Sequence, residues 1–414
     1  MINQKINIAS WFIINYFFIT ALDGALNMFG YPSLCKFSLL LLFALVYISI
    51  KHIKQNGLSK VDLYVLTLSL IIVISSLSEN YSTNLLWYGI RYQLLFMITG
   101  IIVGESSISI NWSFIEKALL PICIVSLIGL YLFFTSPDWY INFRMSNTTN
   151  QNALFEMTRL SAFWEYPYWV SYGCAILYSF IIYRLFISQP IFPKYSSLLL
   201  PYLLLVILLA QQRVAIAFVI ALTLFFLVYS VFRYKLNNKF FTRILIVGIA
   251  LILLLLLIIK HLDVARIDFI IDRLNASERT TNESFISFRA GLYDSFFKKG
   301  ISLFGDGIGR YSHAALDEGS RAITDHQYYE LLFETGVIGF AGYMILFAFI
   351  FIKGLKNMKC NLFELGILSF YLIAMLGADC LSSPAMHSVV FWICCGRILN
   401  KNCLSYKERY NEVR

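Results

Sequence analysis

Charge is what this chain has least of: Asp, Glu, Lys and Arg make up 14% of 414 residues, against 59% hydrophobic and 17% aromatic. With a mean hydropathy of +0.70, no set of soluble cores could absorb the apolar surface, which leaves one helical membrane domain over 1–414. Cysteine is sparse as well. The eight present include an adjacent pair, Cys394-Cys395, without metal-ligand spacing, and none lies in the long polar stretch 261–327. Buried or reduced thiols acting as small apolar residues are expected. The histidines, at 52, 261, 313, 326 and 387, form no metal motif such as H-E-x-x-H. Internal repeats, low-complexity tracts and nucleic-acid motifs are also missing. The first apolar segment lacks a strongly basic start and an A-x-A site, so it reads as a span rather than a cleaved leader.

What is present is a series of long hydrophobic runs. Crossing a bilayer takes about 20 mostly apolar residues. Such runs lie near 11–29, 34–50, 61–77, 85–103, 114–134, 167–186, 195–210, 214–232, 244–259, 331–352, 362–378 and 386–399. They predict an all-α, polytopic membrane protein of about 12 transmembrane helices. The formal charge of +9 sits mainly in alternate short loops, with cations such as Lys51, Lys60, Arg184, Lys353 and Lys356, and in a tail from Arg397 to Arg414. By the positive-inside rule both termini face the cytoplasm, and the charge excess orients the chain and attracts anionic lipid. The two substantial polar stretches then fall outside: a smaller one at 135–166, Asn- and Thr-rich and read as irregular, and a large one at 261–327.

The large stretch has helical periodicity in places. Val264, Ile267, Ile271 and Leu274 share one face, which suits a helix on the membrane surface. A second helix is expected over 283–299, where Phe285, Arg289, Leu292 and Phe296 recur at helical spacing, so Arg289 falls within the apolar stripe. A buried guanidinium needs an anion, either a carboxylate such as Asp379 or Glu165 or a phosphate. Next come Gly305, Gly307 and Gly309, read either as an ordinary turn or as an anion-binding nest of backbone amides. Thr324-Asp-His-Gln327 reads as a capping box with Asp325 and His326 in the first turn of the returning helix. There a neutral His326 is placed to take a proton from a hydroxyl, or else His326 is a surface side chain paired with Glu330. Two more arginines, Arg159 and Arg213, lie at outer ends of spans, and with Arg289 they suit a polar cavity that opens outward.

The order of these parts resembles the O-antigen polymerase and O-antigen ligase superfamily of bacterial envelopes. The stretches that carry the likeness are Arg159-Leu-Ser-Ala-Phe-Trp-Glu-Tyr-Pro167, Gln211-Gln-Arg213, Ser287-Phe-Arg-Ala-Gly-Leu-Tyr293, the Gly-x-Gly-x-Gly turn, and His326 through Glu334-Thr-Gly-Val-Ile-Gly339. It covers nearly the whole chain as architecture but only short motifs as sequence.

The resemblance implies a GT-C-like glycosyltransferase of the bacterial inner membrane that works at the periplasmic face on glycans carried by undecaprenyl diphosphate. It further implies independence of metals and other cofactors, and a chain-length regulator protein as a partner. Arg159, Arg213 and Arg289 would hold the diphosphate, and Asp325 or His326 would deprotonate the acceptor; Gly305, Gly307, Gly309, Glu330 and Asp379 are supporting candidates. Many relatives read His-Asn-x-Tyr before this helix. Here Asp325 stands in place of the His and His326 in place of the Asn, a departure that leans towards the polymerase branch. The ligase, with a lipid A-core acceptor, is the second reading. A flippase or transporter of lipid-linked sugars is the third, against which the missing repeat symmetry counts.

Overall fold

A computed structural model describes residues 34–77, 79, 82–106, 112–147, 159–161, 167–186, 196–234, 238–261, 294, 297–298, 300–312, 314–317, 322–323, 326–382 and 386–400. Among these every regular element is helical. Among the described residues, four helices are long and apolar enough to cross a membrane: Lys60–Leu77, Thr83–Glu105, Tyr168–Phe186 and Gln327–Lys356. Each apolar run read from the sequence from 34 onward lies wholly or mostly on helix, the run 362–378 continuing past Ala374 into a turn, while the run at 11–29 falls outside the described residues.

The chain divides into two compact units. The first, within 35–114 and 293–414, holds α1 (Leu34–Asn56), α2 (Lys60–Leu77), α3 (Thr83–Gly89), a π-helical turn (Ile90–Leu95) and α4 (Phe96–Glu105). Its later part holds α11 (Ala314–Asp317), α12 (Gln327–Lys356), α13 (Met358–Ala374) and α14 (Met386–Leu399). Local signals set the connections. Gly57, with φ 74°, ends α1 in the left-handed conformation that glycine adopts freely. Two residues on, Ser59 and Asp62 exchange side-chain-to-amide hydrogen bonds of 3.1 and 2.8 Å, a capping box that starts α2.

The tightest contact in this unit is between α4 and α14. Gly100 and Gly104 lie one turn apart on α4, and Gly396 comes from α14. A Cβ at Gly104 would meet the Ile393 carbonyl, and one at Gly396 the Ile101 carbonyl. Small residues at this spacing let two backbones touch, which is how apolar helices associate where no hydrophobic force separates them from lipid. Gly396→Leu is therefore expected to cost roughly 3 kcal/mol or more, because the obstruction is backbone and cannot swing aside. Thermal unfolding of the purified chain in detergent measures this, and a loss below about 1 kcal/mol would show that the helices are not in backbone contact.

Several cations that the sequence assigns to inner loops and the tail are engaged or buried inside the fold. Arg397 of α14 pairs with Glu364 of α13 at 2.9 Å, both buried. Lys353 Nζ donates to the Leu399 carbonyl at 2.6 Å, and Arg184 is buried within its helix. Of the described cysteines, Cys123, Cys174, Cys380, Cys394 and Cys395 are buried and form no disulfide, as expected of small apolar side chains.

The second unit, within 115–292, holds most of α5 (Trp112–Thr135), then α6 (Asp138–Asn147), α7 (Pro167–Phe186), α8 (Ser196–Leu209), α9 (Arg213–Tyr234) and α10 (Asn238–His261). α6 corrects the sequence reading of 135–166 as irregular: Pro137 precedes it and Asp138 occupies its first turn, both good helix starters. An apolar cavity of about 240 Å³ lies among α7, α8, α9 and α10, lined by residues such as Leu204, Val219 and Val247. On its wall the Tyr178 and Thr223 hydroxyls bond each other at 2.6 Å.

Candidate functional site

α12 is a broken helix, and the break organises the polar centre of the first unit. Gly336 has φ 68° and ψ −175°, a conformation essentially confined to glycine, so the hydrogen-bond ladder is interrupted there. The segment 302–307 fills the gap. Val337 and Ile338 N–H donate to the Ser302 and Leu303 carbonyls at 3.2 and 3.1 Å, while the Phe333 and Glu334 carbonyls accept from Asp306 and Gly307 N–H at 2.8 and 3.1 Å. Gly305, with φ 86°, packs so closely against Gly336 that neither position has room for a Cβ. The glycine-rich turn and the Glu-x-Gly-x-x-Gly stretch are thus two halves of one joint.

The turn also forms a nest of amides, and its anion is internal. Tyr311 N–H donates to Glu334 Oε1 at 2.8 Å, and the Gly309 amide is directed at the same carboxylate. The neighbouring Ile308 N–H is taken by Ser76 Oγ at 3.1 Å. A nest whose amides are engaged in this way supports the fold. Gly305, Gly307 and Gly309 accordingly serve backbone packing and the seating of Glu334.

Glu334 belongs to a fully buried polar cluster. Gln93, from the π-helical turn, donates Nε2 to Glu334 Oε2 at 2.7 Å and to Glu330 Oε1 at 3.3 Å. Glu330 also meets Gln327 Nε2 at 2.9 Å and Ser382 Oγ at 2.7 Å. Gln327 is held in turn by the Cys380 and Leu381 amides, which donate to its Oε1 at 2.9 and 2.7 Å. Asp379, also buried, accepts from Ser382 N–H at 3.3 Å. Beside the cluster, the Tyr311 hydroxyl donates to the Asp306 carboxylate; burial and this bond raise it above the ordinary tyrosine range.

His326 caps α12 instead of lying in its first turn. Its Nδ1 accepts the Tyr329 N–H at 3.3 Å, and its ring stacks on Tyr329 with centroids 3.9 Å apart. This corrects the reading of Thr324 as the cap; Thr324 and Asp325 lie outside the described residues. It also corrects the pairing of His326 with Glu330, whose oxygens are taken by Gln327, Ser382 and Gln93. Burial holds the His326 imidazole below its ordinary value. A neutral ring whose Nδ1 accepts a hydrogen bond carries its proton on Nε2, so in this cap neither nitrogen is set to take a proton from a substrate.

In the second unit, Arg159 is buried and its Nε donates to the Ala210 carbonyl at 3.4 Å. Leu160 N–H bonds the Leu209 carbonyl at 3.0 Å, which brings the 159–161 segment against the turn that carries Arg213. Gln211 in that turn has φ 56°, unusual for a residue with a side chain. Arg213 itself is exposed at the start of α9. Arg289 and Glu165 lie outside the described residues, so the proposed pairing of Arg289 with Asp379 or Glu165 does too.

Sequence reasoning missed Gln93, Gln327, Glu334 and Ser382 as members of the cluster. Two signals were there to find. Glu330 and Glu334 stand four residues apart, which stacks two like charges on one helical face. Gln93 is a lone polar side chain inside an apolar run. No protein-family model matches this chain, and no curated protein matches it.

Proposed function

We propose that this chain is a polysaccharide polymerase of the O-antigen type. It would cross the bacterial inner membrane about 12 times with the 261–327 loop in the periplasm. There it would transfer a growing glycan from undecaprenyl diphosphate to a new lipid-linked repeat unit. The observation that supports this reading most is that the glycine-rich turn and the Glu-x-Gly-x-x-Gly stretch, the latter the most specific part of the resemblance, are interlocked as one unit on the helix that His326 caps. A joint of that kind gives the adjoining loop a rigid base, which a transferase needs to orient acceptor and leaving group.

In this reading Arg159, Arg213 and Arg289 bind the diphosphate and stabilise the negative charge that grows on it as the glycosyl bond breaks. With the His326 Nδ1 committed to its cap, Asp325 is the base that takes the proton of the acceptor hydroxyl. Glu330, Glu334 and Asp379 stay in the supporting structure.

Reconstitution with purified lipid-linked repeat units as the sole glycan substrate tests the assignment. Polymer should form without lipid A-core, whereas a ligase would need that acceptor and a flippase would form no new bond. In the same assay Asp325→Ala is expected to lower the rate about 10²- to 10⁴-fold. His326→Asn keeps a cap acceptor and should cost far less. The opposite ranking would transfer the base to His326.

A further inference from the structure

We propose that Glu330 and Glu334 form a buried proton-binding site in which Glu330 is held as the neutral carboxylic acid and Glu334 as the carboxylate. Both side chains have no exposed surface. Every polar contact they make is with a neutral group: Gln93, Gln327, Ser382 and the amides of Gly309 and Tyr311. Among the described residues no Lys, Arg or His is paired with either carboxyl. Asp379 is close enough to act on Glu330, adding a third acidic group. A fully buried site with adjacent carboxylates and no cation paired with them among the described residues takes up a proton more readily than it holds both negative charges.

A second observation points the same way. The Tyr343 hydroxyl, 1% exposed, has no hydrogen-bond partner and interacts electrostatically with both carboxyl groups. Gln93 Oε1 is also buried and unpartnered. Both orphaned groups can accept a hydrogen bond, so the cluster has acceptor capacity to spare.

Donor counting says which carboxyl carries the proton. Glu334 faces only groups that can donate: two amides and the Gln93 NH₂. Glu330 faces one group able to accept, Ser382 Oγ at 2.7 Å. That hydroxyl donates to Glu330 Oε1 when the carboxyl is ionised; when Glu330 is protonated it turns its hydrogen away and, besides Gln327 Nε2–H at 2.8 Å, receives the acid proton on its second lone pair. The Cys380 and Leu381 amides fix Gln327 Oε1, so its NH₂ has no alternative direction. A metal ion would have to displace these N–H donors from the carboxylate oxygens, which favours the proton as occupant. Among the described residues, the titratable groups that act on the two carboxyls include Asp379, Tyr343, and Tyr311 with its partner Asp306.

Infrared spectroscopy of the full chain in detergent micelles tests this without any substrate, so its outcome is independent of the transfer reaction. At pH 7 the spectrum should contain the C=O stretch of a protonated carboxyl. Labelling glutamate carboxyls with ¹³C should shift that band, separating it from Asp379. Glu330→Gln should abolish it, and Glu334→Gln should not. Should Glu330→Gln fail to fold, the labelled wild type still decides, because absence of a glutamate-derived acid band overturns the proposal. Stability supplies a second readout. A proton that folded Glu330 keeps and unfolded Glu330 releases above pH of about 4.3 stabilises the fold below that value. This contribution is lost as pH rises, by up to about tenfold in the folding constant per pH unit. The slope should vanish in Glu330→Gln, while the opposite contribution of His326, present in both proteins, cancels in the comparison. Replacing choline chloride by sodium chloride should change neither readout; sodium-dependent stabilisation with loss of the acid band would make this a metal-ion site and sink the proton assignment.

Discussion

Alanine at position 336 is expected to abolish recovery of folded protein. The added methyl group would force a side-chain-bearing residue into a conformation that costs about 1–3 kcal/mol. It would also bring Cβ to 2.5 Å from the Leu303 carbonyl oxygen and the Phe304 carbonyl carbon. Those atoms belong to the segment whose amides and carbonyls complete the ladder of α12, so relief by movement would unhook the joint and strand backbone groups on both sides. Against a total stability of about 5–15 kcal/mol, the combined loss is decisive. Gly377→Ala is the matched control: nothing lies within 4 Å of its would-be Cβ, and its φ is not positive. Detergent extraction followed by size-exclusion and thermal unfolding compares the two. An unaltered unfolding temperature for Gly336→Ala would refute the interlocked joint.

Substitutions at Glu334 should separate charge from hydrogen bonding. Leucine removes the acceptor for the Tyr311 and Gly309 amides and for Gln93 Nε2, and each stranded buried donor costs about 1–3 kcal/mol. Apolarity gives no compensation, since two of those donors are main chain and remain. The expected loss is roughly 3–5 kcal/mol. Glutamine keeps one oxygen for the amides and turns an NH₂ towards Gln93, whose unpartnered Oε1 can rotate to receive it. Glu334→Gln should therefore lose only about 1–2 kcal/mol. Adding Gln93→Leu should make the glutamine variant disproportionately worse, by about 1 kcal/mol or more beyond additivity. Equal losses for leucine and glutamine would mean that the amide nest does not seat this side chain.

Much of the helical layout could be read from apolar run length alone. The segments at 61–77 and 167–186 coincide with helices to within a residue or so, because in both the polar flanks and the helix ends fall together. The failures have specific causes. The run 331–352 looks continuous, and only the two backbone segments that meet at Gly336 reveal that the helix starts at Gln327 and breaks there. The run 85–103 likewise hides the π-helical turn at 90–95 that places Gln93 against the carboxylates. Histidine is not among the preferred caps, so Thr324 was the natural candidate until the His326 ring was seen to accept the Tyr329 amide. Glu330 was visible as a candidate, but its partners come from residues 93, 327 and 382, and no local pattern announces such distant neighbours.

The α4–α14 seam has a consequence for how the protein is made. About 290 residues separate Gly104 from Gly396, and at about 5–20 residues per second the ribosome needs roughly 15 to 60 s to bridge that interval. During this delay the glycine-lined face of α4 has no mate and must be shielded by lipid, by an insertion factor or by a temporary neighbour. The first unit therefore cannot close until the segment that carries Gly396 has been made. Chains halted before residue 386 should be the ones that quality-control proteases clear fastest.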